Sequence, residues 1–212
     1  MLARTLEGAR ISIFVGVASV ALCLLIGGTL GITAGYWKGR IDAGIMRVMD
    51  MVLAFPTLIL ALAIAAFLGP SLRNVVVAIS FSTLPHYARL ARATTMSITQ
   101  RDFVSSSALL GAPHRHILWR HIAPNTVSPL LTYALLAIGM AIIVEASLSF
   151  LGLGVQPPTP SWGSMIAEGR PHLQGAPHVA LVPGAFLFMV ILSLNLLADS
   201  LRSGAPAAGL GR

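Results

Sequence analysis

Charge is what this chain of 212 residues has least of. Only 10% of it is charged and 56% is hydrophobic, with a mean hydropathy of +0.83. A soluble domain carries about 25% charged residues, so a water-facing globular class is excluded. Acids are scarcer still, with 7 Asp and Glu against 14 Lys and Arg. A net charge of +7 could suit a nucleic-acid binder, but the basic residues sit in short loops between apolar runs, which is a topology signal instead. Cysteine is nearly absent: Cys23 stands alone inside an apolar run, can form no disulfide within the chain, and reads as a small packed residue. There is no GxxxxGKS/T, HExxH or GxSxG, so nothing here hydrolyses ATP or a peptide bond by a known motif, and no cofactor is expected.

What is present is a series of apolar runs. About 20 helical residues are needed to cross a hydrocarbon core of about 30 Å. The run 11–36 meets this easily, and it is too long for the apolar part of a signal peptide. Its glycines, Gly16, Gly27, Gly28, Gly31 and Gly35, suit close helix packing. A second span is expected over 51–68, where neighbours compensate for the missing N–H of Pro56. A third, over 74–92, starts in the bilayer and projects beyond it, with a kink at Pro85. A fourth covers 127–151 and a fifth 179–198. The connection 152–178 opens with GLGVQPPTP, which opposes regular structure. After Arg202 a short Gly/Ala/Pro-rich tail is expected to fray.

Orientation follows from the basic residues. If the first span enters the cytoplasm at Lys38, ten Lys and Arg lie inside: Lys38, Arg40, Arg47, Arg89, Arg92, Arg101, Arg115, Arg120, Arg202 and Arg212. Four lie outside: Arg4, Arg10, Arg73 and Arg170. The excess puts the stretch Asp102–Asn125, DFVSSSALLGAPHRHILWRHIAPN, in the cytoplasm. It is polar and basic, set between apolar spans. Phe103, Val104, Ala108 and Leu109 can form an apolar docking face, Gly111 permits a sharp turn, and Pro113 stops the first helix. Ile117, Leu118 and Ile122 can line a returning helix. From periodicity alone, an ordinary solvated connector fits equally well.

Four segments carry a family resemblance: EGARIS (Glu7–Ser12), YARLAR (Tyr87–Arg92), EASLSFLGLGVQPPTPSWG (Glu145–Gly163) and NLLADSLR (Asn195–Arg202). With them the chain resembles the inner-membrane permease subunit of binding-protein-dependent ABC importers, of the dipeptide/oligopeptide/nickel group, and within it the C-type subunit. The resemblance covers nearly the whole chain. It implies an all-α polytopic membrane protein of the type I ABC importer permease kind, with about five transmembrane helices and a cytoplasmic coupling loop. It also implies a multi-pass location in the bacterial cytoplasmic membrane. The implied partners are a homologous second permease, two ATP-hydrolysing subunits and an extracytoplasmic solute-binding protein. Nucleic acid is not among them. The implied activity is a channel for peptides or similarly sized solutes, with ATP hydrolysis on separate subunits.

The same resemblance assigns the coupling residues. The family's motif runs EAA, three residues, glycine, then a hydrophobic–Pro pair. Here Ser105, Ser106 and Ser107 stand at the EAA positions, Gly111 holds the glycine, and Ile122 and Pro124 resemble the end. Asp102, beside Phe103, supplies the nearest negative charge to the missing acid. The family normally has one more transmembrane helix before the position of Leu2, so a truncated, non-transporting permease is an alternative reading. A secondary transporter or channel is weaker, because it calls for paired intramembrane charges or repeats and only Glu145 is found.

Glu145 is an acid near the end of a span. With Gly152 and Gly154 it is expected to fix an external gate region, and a structural role for it is equally plain. His114, His116 and His121 do not share one helical face and have no acid or thiol among them, so no metal site is expected. Trp37 and Trp162 read as an aromatic belt at the two membrane faces.

Overall fold

A computed structural model describes residues 1–204, and the part of the expected Gly/Ala/Pro tail from 205 onward, with Arg212, lies outside the described residues. Among the described residues the chain is all helix, without a strand. Helix α1 runs over Leu2–Trp37 with a π-helical turn at Cys23–Gly27. It is followed by α2 (Gly39–Leu53), α3 (Thr57–Leu68) and α4 (Leu72–Ile98). A short α5 (Asp102–Leu109) precedes α6 (His114–Phe150), then α7 (Trp162–Gly169) and α8 (His178–Gly204).

Three helices, α1, α6 and α8, are long and apolar enough to cross a membrane, or four if the bent pair α2 and α3 forms one span. At 27 residues α4 is long enough, but Ser80, Ser82, His86, Arg89 and Arg92 dilute its apolar content. It passes through Pro85 as one continuous helix.

The expected second span, 51–68, is not one straight helix. It is broken at Ala54–Pro56, and α2 and α3 meet at 86°. Pro56 has no N–H to give, and its ring steers Phe55 away from helical geometry. The Pro56 carbonyl instead accepts the Leu60 N–H and opens α3. The connection 152–178 also differs from expectation, because it contains α7. The Ser161 hydroxyl accepts from the Ser164 N–H and the Ser164 hydroxyl accepts from the Ser161 N–H, a capping box that starts a helix directly after the prolines.

The chain forms two compact units. One comprises Met1–Val20, Ala61–Ile79 and the residues from Thr132 onward. Its buried side chains include Val15, Val75, Ile142, Leu148, Trp162 and Met165. Here α7 packs on α8, and a Cβ at Gly169 would stand 2.6 Å from the Ala180 N. The other unit comprises Ala21–Leu60 and Ser80–Leu131. In it α1 lies flush on α4: a Cβ on Gly27 would stand 2.9 Å from the Tyr87 Cβ, and one on Gly31 would overlap the Ala88 carbonyl. Cys23 is buried there, its thiol 3.2 Å from the Ser80 carbonyl. Many large apolar side chains stay exposed, Phe67 at 89% and Phe188 at 66% among them, as suits a surface solvated by lipid rather than water.

Glycine therefore has opposite meanings at two sites. Gly31→Ala should destabilise by about 1–3 kcal/mol through overpacking. Gly44, in α2, has nothing within 4 Å of a built Cβ, so Gly44→Ala should stabilise by about 0.5–1 kcal/mol. Thermal unfolding of the two variants in detergent measures the sign of each change.

Candidate functional site

The stretch Asp102–Asn125 is two helices joined by a tight turn. Asp102 opens α5, where a negative charge favours the helix N-terminus. At the other end Gly111 takes φ +80°, the Gly111 N–H bonds the Ala108 carbonyl and the Ala112 N–H bonds the Ser107 carbonyl. This is a Schellman cap, which a left-handed glycine completes at least cost. Pro113 does not end α5; it stands just before α6, outside the helical hydrogen bonding, and its carbonyl accepts the first bond from His116. A second π-helical turn, Ile117–Ile122, precedes Pro124, whose ring would crowd the Arg120 carbonyl in a regular helix.

Behind these helices lies a small core of Ile98, Val104, Ile117 and Ile122, with Ile32, Tyr36, Ala112 and Leu118 packed against it. One expectation is corrected by it. Val104 is buried, so it fastens the stretch from within rather than facing outward, and Ile122, on the returning helix, is buried beside it. The outward apolar surface is Leu109 and Leu110, 89% and 88% exposed, with Phe103 half exposed. Leu110 and the 78%-exposed Trp119 were not singled out from the sequence. Their side chains lie outside the run of apolar spacing that marks α5, so the only signal was their position at a helix end. Ser105 and Ser106 are exposed, Ser107 partly so, and Pro124 exposed.

The histidines have local partners. Nδ1 of His114 lies 2.6 Å from the Tyr36 hydroxyl, and the rings of His116 and His121 meet edge to face at 5.6 Å. Close by in sequence to α4's end, Arg92 bonds both carboxylate oxygens of Asp42, one at 2.6 Å, and Arg89 bonds Asp50 at 2.6 Å. The Arg92 hydrogen bonds hold the Asp42 carboxyl below the usual carboxylate range.

The expected gate residues come together in the other unit, around Glu145. Its carboxylate is fully buried and accepts from the hydroxyls of Ser12 and Ser149, each at 2.7 Å. The Ser12 oxygen also receives the Trp162 backbone N–H at 3.4 Å. Trp162 is buried, not part of an interface belt: its indole N–H donates to the Thr5 carbonyl at 3.0 Å. Gly152, at φ +80°, caps α6 with the same hydrogen-bond pattern as Gly111, through Leu153 to Leu148 and Gly152 to Ser149. Gly154 then folds back so closely that a Cβ would overlap the Ser149 side chain, and a Cβ at Gly163 would overlap the Ala146 carbonyl. One carboxylate thus ties α1, α6 and α7 together. Ser12, Ser149 and Trp162 were missed as its partners because their sequence separation, 133 residues for Ser12, leaves no periodic trace.

Glu145 gives a clear test. Glu145→Ala and Ser12→Ala leave buried polar groups unmatched, at a cost of about 1–3 kcal/mol. Glu145→Gln, which keeps an acceptor oxygen, should cost less. The expected readout is faster tryptic cleavage after the exposed Arg10, two residues before Ser12, in the order Ala, Gln, unaltered chain.

Fold and site together define a polytopic α-helical membrane protein with a small, internally braced element between spans. The chain matches, over residues 27–203, the family described as binding-protein-dependent transport system inner membrane component, and it belongs to that family. It is 46% identical over 94% of its length to the glutathione transport system permease protein GsiD of Pectobacterium atrosepticum, covering 66% of that protein. It is 44% identical over 95% of its length to the di/tripeptide transport system permease protein DppC of Pseudomonas aeruginosa, covering 67% of it. The chain thus spans about two thirds of the length of these relatives. Its fold is that of a chain of the MetNI methionine ABC transporter in an inward-facing form, with TM-score 0.78, 14% identity and 95% coverage of each chain. A chain of an amino acid ABC transporter superposes with TM-score 0.69 at 14% identity, covering 94% of this chain and 93% of that one. Membership of an inner-membrane family agrees with the membrane location expected for the apolar runs.

Proposed function

We propose that the chain is the channel-forming subunit of an ATP-driven importer, moving peptides or similarly sized solutes across the cytoplasmic membrane. The relatives named for glutathione and for dipeptides support the solute class. Its partners are a homologous second permease, two ATP-binding subunits and an extracytoplasmic solute-binding protein. ATP hydrolysis belongs to the ATP-binding subunits.

The observation that carries the reading is the exposed Leu109–Leu110 pair on a short helix braced from behind. An apolar helix tip of this kind suits a hydrophobic groove on a soluble partner. Asp102, Phe103, Ser105, Ser106 and Ser107 lie along α5, Gly111 sets its exit, and Pro124 with Ile122 sets the return. Closure of the ATP-binding subunits pushes α5, and the Ile98–Val104–Ile117–Ile122 core passes that displacement to α4 and α6 as a rigid-body tilt. Ser105 stands where the family's motif has an acid, so docking here is mainly apolar. Glu145, Gly152 and Gly154 hold the outer gate region together.

Co-purification of the ATP-binding subunits tests this. Leu109→Asp with Leu110→Asp should abolish their retention while the permease stays monodisperse, because both side chains are exposed. Retention unchanged by the double substitution overturns the docking assignment. Gly111→Val, forced into left-handed backbone, should cost about 1–2 kcal/mol and uncouple ATP hydrolysis from uptake.

A further inference from the structure

The helix α2 has two unlike faces. Inward, Met49 is buried and Asp42 is bonded to Arg92. Outward runs an apolar stripe of Ile41, Gly44, Val48 and Met51, with Ile41, Val48 and Met51 47%, 49% and 57% exposed. Arg40 and Arg47, also seven residues apart, border that stripe, one helical turn from Gly44 and Met51 respectively.

The charges on this helix sort themselves. Both acids are neutralised by α4, Asp42 by Arg92 and Asp50 by Arg89. Arg40 and Arg47 face no carboxylate within ion-pair distance among the described residues, and Lys38 precedes them. The outward face is therefore apolar and cationic, with its one bordering acid, Asp50, already engaged by Arg89.

Direction comes from the break at Pro56. Helix α3 is uncharged and, after Thr57, wholly apolar, so it suits the hydrocarbon, and α2 meets it at 86°. With α3 set along the membrane normal, a helix at a right angle to it lies in the plane of the membrane. The exposed Trp37, just before the first turn of α2, is a side chain that favours the headgroup level. The basic-residue count puts this end of the chain on the cytoplasmic side, where the leaflet is anionic.

We propose that α2 is an interfacial helix that binds an anionic phospholipid surface, its stripe Ile41–Val48–Met51 entering the acyl boundary and Arg40 with Arg47 holding headgroup phosphates. The stripe supplies the apolar area and the arginines the selectivity for negative lipid. This rests on membrane location alone, so it stands or falls separately from the importer reading.

The test uses the full chain, with whatever subunits co-purify, in vesicles of phosphatidylcholine with or without phosphatidylglycerol. A fluorophore is placed at Val48→Cys in a Cys23→Ala background. The expected result is quenching by nitroxide lipid, stronger when the nitroxide is carried on phosphatidylglycerol than on phosphatidylcholine. Arg40→Gln with Arg47→Gln should remove that preference, by roughly fivefold per cation, while Arg40→Lys with Arg47→Lys largely keeps it. Since neither arginine has a partner to lose, size-exclusion elution should be unchanged in these variants. Quenching by aqueous iodide would mean a water-facing helix and overturn the proposal. Shielding from both quenchers would mean a protein partner covers the stripe and would overturn it equally. Equal quenching by the two nitroxide lipids would remove the arginine–phosphate contact.

Discussion

A carboxylate buried in or beside a membrane must find a partner, and four of this chain's seven acids mark a joint. Water cannot be relied on to solvate them, and an unmatched buried charge is costly. Glu145 is met by Ser12 and Ser149, Asp42 by Arg92, Asp50 by Arg89 and Glu168 by Arg4. Each pair links elements distant in sequence. In one unit Glu145 and Glu168 hold α1 to α6 and α7; in the other Asp42 and Asp50 hold α2 to α4. The exposed pairs, Arg4–Glu168 and Arg89–Asp50, contribute little energy on their own. Their value is register, since a long apolar helix packed on glycines and alanines could otherwise slide by a turn.

Glycine supplies the complementary device. Gly16, Gly27, Gly31 and Gly35 let α1 approach backbone to backbone where no hydrophobic effect drives helices together, so dispersion and close fit must do it. At Gly111 and Gly152 the same residue type serves a different need, the left-handed cap that turns the chain out of a helix. Gly111 was legible from sequence as a sharp turn, because it sits two residues before Pro113, whereas Gly152 was expected in a gate region and not as a cap.

Other features were less legible, for identifiable reasons. The spans 11–36, 127–151 and 179–198 announce themselves by unbroken apolar length, and helices α1, α6 and α8 cover them but for Leu151. The break at Pro56 was visible as a proline but not as a bend, since prolines at 85, 129 and 183 lie inside continuous helices. What differs is context that only packing supplies. Helix α7 was hidden by the PPTP before it, although Ser161 and Ser164 already spelled its cap. Trp162 illustrates the limit best: an indole beside a span suggests an interface, whereas burial of its N–H against the Thr5 carbonyl makes it core. Nothing local distinguishes the two.

The stretch Asp102–Asn125, proposed as the coupling element, shows why burial matters more than hydrophobicity in reading such an element. Sequence spacing groups Phe103, Val104, Ala108 and Leu109 on one side, but the fold divides them. Val104 turns inward with Ile98, Ile117 and Ile122, and Leu109 is left outside with Leu110. An element that only bound a partner would not need the inner core, and one that only joined two spans would not expose the leucines. The combination is what transmission of force requires: a yielding contact would absorb a push, while a packed core has low compressibility and passes it on. Tyr36 bonded to His114 adds a polar tie across the same base. Under the proposed coupling role the serines at 105–107 matter less than the residues behind them, because a missing acid would weaken only the outer contact and leave the packed core stiff.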